Sequence, residues 1–151
     1  MGDNADGLGE FQQTMLNLIN EARSQDRFCG ESFRRAADPV AWDERLEMAC
    51  VRHSMDMADN IHDLDHIGSD GSTFADRIRD EGYMSGGSGE NIAAGPRTPE
   101  AVVNLWLNSP SHCRNIMAPS HEDLGVATAV GFFNQTGRDT TFWCLLLGRE
   151  T

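Results

Sequence analysis

Apolar residues recur every three or four positions through the first two-thirds of the chain, and this spacing predicts amphipathic helices. The pattern is present in FQQTMLNLINEARSQ (11–25), RLEMACVRHSMDMADN (45–60) and STFADRIRDEG (72–82). The third stretch opens with Ser72, a good N-terminal cap, and stops at Gly82, which suits the end of a helix. We therefore expect three helices in this part of the chain, separated by polar loops.

Two further helices are predicted between 98 and 117. Thr98 is a suitable cap, Pro99 fits the first helical position, and Glu100 lies in the first turn. Pro110 ends this helix and is expected to start a shorter helical segment that continues to Met117.

Strand patterns occupy the last third of the chain. EDLGVATAVGFF (122–133) and TFWCLLLG (141–148) read as strands, with NQTGRD (134–139) as the turn between them. The glycine-rich stretch 83–95 predicts only a short strand at 90–93. Helices followed by strands indicate an α+β domain, or a layered α-β-α domain with a mostly antiparallel sheet.

The composition narrows the class of protein. A length of 151 residues fits a single domain over 1–151, and all twelve basic residues are arginine in a chain of net charge −12. An acidic surface repels phosphate backbones, so we expect no nucleic-acid partner. No apolar run approaches the roughly 20 residues that span a bilayer. We expect a monomer without a transmembrane segment.

Four cysteines are spread along the chain at positions 29, 50, 113 and 144. None forms a CxxC pair, which argues against a thiolate zinc site. The even count suits two disulfides in an oxidising compartment, with three pairings open, or four buried free thiols. An exported protein of this kind is expected to have lost a signal peptide ahead of Met1.

Two polar residues in unusual local settings are candidates for chemistry. Glycines precede Glu90 and allow the backbone to approach neighbours closely, so a carboxylate here could point into a cleft. Pro110 breaks the helix just ahead of His112, and such breaks can aim a side chain at a pocket. With Ser109 or Ser111 nearby, Ser-His-Glu chemistry is conceivable, although the GxSxG context is missing.

The stretch HDLDH (62–66) carries two histidines four residues apart, as does the helical HExxH zinc motif. Gly68 and Gly71 follow at once, so the flanks predict a loop and argue against that motif. A calcium loop fails as well, because Ile67 occupies a ligand position and no Glu follows at the required distance.

The two remaining histidines favour structural interpretations. His53 lies near the apolar stripe of the second predicted helix, where we expect packing or a surface pair. His121 sits beside Glu122 and Asp123 in a polar turn, and we expect it to be solvated.

Taken in order, six phrases of the sequence resemble the CAP superfamily of cysteine-rich secretory, antigen 5 and pathogenesis-related class-one proteins. The likeness is greatest to the bacterial SCP-like extracellular branch and covers about 11–148. The phrases are LINEARS (18–24), AWDERLEMACVRHSMDMA (41–58), HIGSDGSTFADRIRDEGY (66–83), GENIAAG (89–95), TPEAVVNLWLNSPSHCRNIM (98–117) and DLGVATA (123–129).

This resemblance implies a three-layer α-β-α sandwich with a three- to four-stranded, mainly antiparallel sheet and a central cleft. Family members gather two histidines and two acids there, and several bind a divalent cation, often zinc. By position, His66, Glu90 and His112 match three of the four. The fourth place holds Asn108 or Ser109, so we expect Zn²⁺ or another divalent cation to bind weakly. The resemblance also favours disulfides Cys29–Cys113 and Cys50–Cys144.

The implied function is an extracellular or periplasmic binding module for a divalent metal or small ligand, with a small ligand, lipid or peptide as the partner in the cleft. A hydrolase is the alternative, using either a metal or Ser109 with His112 and Glu90. In the metal version, Glu90 or a histidine such as His66 would position water. A lipid or sterol carrier is a third possibility.

Overall fold

The structure is a computed structural model, and residues 7–151 are described. These residues form five α-helices, one π-helical turn and six strands. In chain order the elements are α1 (Glu10–Arg23), β1 (Arg27–Cys29), β2 (Ser32–Arg34), β3 (Ala41–Trp42), α2 (Glu44–Asp56), the π-helical turn (Met57–Ile61), α3 (Phe74–Asp80), β4 (Ser85–Ala94), α4 (Pro99–Leu107), α5 (Pro110–Met117), β5 (Asp123–Phe133) and β6 (Arg138–Glu150). The prediction of a signal peptide ahead of Met1 lies outside the described residues.

Four strands form the main sheet in the order β3-β5-β6-β4, and only the short β3–β5 pair is parallel. The central strand β6 is buried on both faces from 142 to 148. Trp143, Leu145 and Leu147 point into the core shared with α1, α4 and α5, whereas the side chains between them point into the core shared with α2 and α3. The predicted α-β-α sandwich is confirmed.

The predicted helices are present, with one shift in a cap. Thr73, not Ser72, caps α3: Thr73 Oγ1 accepts the Asp76 N–H at 3.1 Å, and the Asp76 carboxylate accepts the Thr73 N–H at 3.0 Å. The short β1–β2 hairpin was not predicted, since the sequence after α1 reads as a polar loop.

Strand β4 is longer than the predicted 90–93 because its glycine-rich start pairs with β6 as well. Gly89 lies where a Cβ atom would collide with the Asn115 side chain, so glycine permits α5 to pack closely against this strand. The close approach brings His112 on α5 towards Glu90 on β4.

One of the two expected disulfides is present. Cys29–Cys113 joins the β1–β2 hairpin to α5. The expected Cys50–Cys144 disulfide is wrong, because both thiols are free and buried. Cys50 Sγ donates to Gly125 O at 3.4 Å, and burial raises the pKa of both thiols, which disfavours the thiolate needed to form a disulfide.

Two histidines, His53 and His121, are buried in the fold. His53 is buried as expected, with Nε2 2.6 Å from Asp65 O. The expectation that His121 is solvated is wrong: it is buried, with Nε2 3.0 Å from Asn115 Oδ1, and burial lowers its pKa to about 4. The HDLDH stretch begins at His62, the C-terminal cap of the π-helical turn, and continues as a loop, as its glycine flanks indicated.

None of the helices in residues 7–151 combines the length and the apolar character that a membrane span requires.

Candidate functional site

Glu90 lies on β4 with its carboxylate completely buried and both oxygens engaged. Oε1 is 2.8 Å from His66 Nδ1, and Oε2 accepts a hydrogen bond from Arg77 Nη2 at 3.0 Å. The Cys144 thiol, on the neighbouring strand β6, contacts the same Oε2 at 3.5 Å. The carboxylate therefore faces a buried cation on one side and the cleft imidazole on the other.

Arg77 on α3 is a buried member of the site that sequence reasoning missed. Its side chain is only 1% exposed, and besides Glu90 it donates to Ser72 O at 2.9 Å and to His66 O at 2.8 Å. It thus ties the 66–72 loop to β4. The available clue was its position three residues after Phe74, on the face of α3 that also carries Ile78, because an arginine on a buried face needs an acidic or carbonyl partner.

His66 reaches the cleft from the loop between the π-helical turn and α3. Its side chain is 51% exposed, and no atom of residues 7–151 hydrogen-bonds its Nε2. The hydrogen bond to the Glu90 carboxylate raises the pKa of His66, with burial acting in the opposite direction. Glu90 therefore fixes the ring through Nδ1 and leaves Nε2 directed away from that bond.

His112 lies in the first turn of α5 and lines the same groove as His66. Its Nδ1 is 3.0 Å from Ser109 Oγ, and Asn91 Nδ2 donates to the His112 carbonyl at 3.1 Å. Partial burial lowers the pKa of His112, and the nearby charge of His66 lowers it further. The two imidazoles therefore have opposite tendencies to hold a proton.

Asn91 and Asn115 hold the two sides of this arrangement together. Asn115 Nδ2 donates to Asn91 Oδ1 at 3.1 Å, so α5 is hydrogen-bonded to β4 beside the cleft. Asn91 follows Glu90 directly in sequence, and its side chain lies on the opposite face of the strand. The glycine at 89 allows Asn115 to reach this position.

These residues line an open groove of about 350 Å³. The fold thus brings together in one groove three residues that lie up to 46 positions apart in sequence: His66, Glu90 and His112. A second trough of about 270 Å³ adjoins the groove at His112. The groove is lined by His66, Phe74, Gly89, Glu90, Asn91, Ser111, His112 and Asn115, and the trough by Leu64, Ile92, Ala93, Ala94, Leu105, Trp106, Ser109 and His112.

The candidate ligand atoms of the groove fit a divalent cation only in part. Within residues 7–151, the ligand atoms of His66, Glu90 and His112 are not gathered within 4.8 Å of one another. Both Glu90 oxygens already have hydrogen-bond partners. Among the described residues, the atoms left to bind a metal ion are therefore the Nε2 atoms of His66 and His112. The resemblance expected a second acid at the position of Asn108 or Ser109. Neither residue carries a carboxylate, and Asn108 Nδ2 donates back to Asn104 O at 2.8 Å.

An acidic cluster elsewhere does bring three carboxylates within 4.8 Å: Asp43, Asp123 and Glu150. Arg45 pairs with Asp43 at 2.7 Å and with Glu150 at 2.6 Å. The Tyr83 hydroxyl donates to Asp123 at 2.7 Å. Each of the three carboxylates therefore already has a side-chain partner in the protein.

The geometry also bears on Ser-His-Glu chemistry. Ser109 and His112 are hydrogen-bonded, but the bond uses His112 Nδ1 and joins residues three apart at the start of one helix. Glu90 is bonded to His66 instead of His112. The three side chains do not form a continuous relay in this arrangement.

Comparison with known proteins assigns the fold to a family. A family model described as the cysteine-rich secretory protein family, CAP, matches residues 16–146. The Bacillus subtilis protein YkwD is 35% identical over 119 residues, which cover 79% of this chain and 42% of YkwD.

Solved structures give the same result. An extracellular SCP-domain protein from Bacillus anthracis has a TM-score of 0.72 at 27% identity, over 92% of this chain and 40% of that one. An outer surface protein from Borrelia burgdorferi has a TM-score of 0.67 at 19% identity, over 94% of this chain and 96% of that one. The chain spans less than half the length of the two Bacillus relatives. By its sequence and its fold, the chain belongs to the CAP, or cysteine-rich secretory protein, family.

Proposed function

We propose that this domain is an extracellular binding module that holds a divalent metal or a small ligand in the groove between His66 and His112. The observation that carries the proposal is the pair of imidazoles that line one groove and whose Nε2 atoms accept or donate no hydrogen bond within residues 7–151. A disulfide and the extracellular Bacillus anthracis neighbour support the location outside the cytoplasm.

The two Nε2 atoms would be the protein's ligands to a metal ion, and Glu90 would hydrogen-bond the other ring nitrogen of His66, Nδ1. A carboxylate bonded to the far nitrogen of a ligating histidine orients the ring and strengthens it as a ligand. Arg77 balances the charge of Glu90, so the site attracts a cation less than one with free carboxylates would. A bound zinc ion would polarise a water molecule or a ligand oxygen. We therefore expect weak metal binding.

Zinc titration tests this site directly. Isothermal titration of the domain with Zn²⁺ should show one weak site, and His66→Ala or His112→Ala should weaken it by about tenfold or more, since each removes a nitrogen ligand. His62→Asn is the matched control, because it removes a histidine outside the groove and asparagine tolerates the left-handed backbone found there. Equal zinc affinity in all four proteins would contradict the proposal.

The two groove histidines should titrate in opposite directions from the usual value of about 6.5. In the metal-free protein, NMR titration should place the pKa of His66 above that value and the pKa of His112 below it. Because the folded-state pKa of His66 is raised, its bond to Glu90 stabilises the fold fully below the unfolded pKa, and this contribution is lost as the pH rises through the folded pKa.

The variant His66→Ala adds a control to the same measurement. Loss of the His66 charge should raise the pKa of His112. The pKa of His121, which is lowered by burial and by the charge of Arg23, should not change. A pKa of His66 lower than that of His112 would show that the Glu90–His66 bond is absent in solution.

A serine-type hydrolase is the second candidate, favoured by the 3.0 Å contact between Ser109 and His112. If it is correct, a fluorophosphonate probe should label the wild-type protein, because His112 would accept the Ser109 proton during attack. Labelling should be lost in Ser109→Ala and retained in Ser111→Ala, the neighbouring serine of the groove. An unlabelled wild-type protein would remove this candidate.

A further inference from the structure

We infer that the groove binds a short cationic peptide and that the trough beside His112 takes one bulky apolar side chain of it. The inference rests on the proposed function, because it names the ligand class of the same groove. The trough is defined by Leu64, Ile92, Ala93, Ala94, Leu105, Trp106, Ser109 and His112.

The walls of the trough are apolar and in part exposed. Leu105 on α4 is 48% exposed and Leu64 on the loop is 36% exposed, while the buried Trp106 lies between α4 and β4. A volume of about 270 Å³ is small for a ligand pocket and suits a single side chain. At His112 the apolar lining gives way to the polar groove, where imidazole, hydroxyl and amide groups meet the ligand.

The trough opens onto the free edge of the sheet. Ile92, Ala93 and Ala94 all line it, although consecutive side chains of a strand point to opposite faces, so the ligand meets β4 along its edge. Among residues 7–151, β4 pairs with β6 alone and forms one edge of the four-stranded sheet. An edge of this kind presents main-chain groups that an extended peptide can use.

The direction of those main-chain groups follows from two hydrogen bonds. Gly95 N donates to Thr141 O at the end of the β4–β6 ladder, so the main-chain groups of alternate residues, including Ala93, face β6. The Ile92 carbonyl instead accepts the Trp106 indole N–H at 3.1 Å, away from β6. Ala94, two residues on, has the same orientation as Ile92, and its main-chain groups face the trough.

Charge and shape favour a cationic peptide over a lipid. The chain has a net charge of −12, and the loop that carries Leu64 and His66 also carries Asp63 and Asp65, so basic residues flanking the apolar side chain are attracted to this wall. An acyl chain or sterol requires a continuous apolar channel. Here the apolar lining ends at His112, after room for one side chain.

Titration with two model peptides tests the inference. Acetyl-Lys-Phe-Lys-amide should bind at least about tenfold more tightly than acetyl-Lys-Ala-Lys-amide, because only the phenylalanine fills the trough. Leu105→Gln should abolish this preference, since it removes an apolar wall and retains good helix propensity. Met48→Gln is the matched control: Met48 is also 48% exposed and helical but lies outside the groove.

Zinc titration of the same proteins separates this inference from the proposed function. Leu105→Gln should bind zinc as the wild type does. Zinc binding together with equal affinity for the two peptides would overturn the peptide inference and leave the metal site standing. A preference for the phenylalanine peptide that depends on Leu105 supports the inference even without zinc binding. Binding of oleate that depends on Leu105, with neither peptide bound, would overturn it in favour of a lipid.

Discussion

The groove depends on a buried ion pair between Arg77 and Glu90. Both side chains are buried, and each supplies the opposite charge that offsets the cost of burying the other. The pair joins two layers of the sandwich, since Arg77 belongs to α3 and Glu90 to the edge strand of the sheet. Arg77 also holds two carbonyls of the 66–72 loop, so one guanidinium sets the position of the loop, the carboxylate and, through them, His66.

This constraint changes the role expected of the acid. The glycine-rich setting of Glu90 predicted a carboxylate that could point into a cleft, and the family resemblance made it a candidate metal ligand. In the structure both carboxylate oxygens have side-chain partners, and the bond to His66 Nδ1 orients that ring. We therefore expect the groove to favour a ligand that accepts or donates hydrogen bonds, or a weakly held metal, over a tightly bound divalent ion.

The sequence predicted the long helices and the β5–β6 hairpin because their apolar periodicity reports directly on which face is buried. It underpredicted β4, since glycines carry no side chain and leave no alternation to detect. Arg77 and His121 were missed because a charged or polar residue reads as exposed, and only the tertiary fold supplies the partners that bury it. The Cys50–Cys144 disulfide came from the family resemblance and not from the residues themselves. The convergence of His66, Glu90 and His112 likewise required the family pattern, because their spacing in sequence contains no distance information.

A double-mutant cycle on the buried pair tests the central claim most directly. Unfolding free energies would be measured by urea denaturation for the wild type, Arg77→Met, Glu90→Gln and the double variant. Each single change should cost about 3–5 kcal/mol, because it leaves a buried charge without its partner, and the double variant should cost clearly less than the two single changes combined. Additive effects would mean that Arg77 and Glu90 do not interact in the folded protein, and the account of the groove would then be wrong.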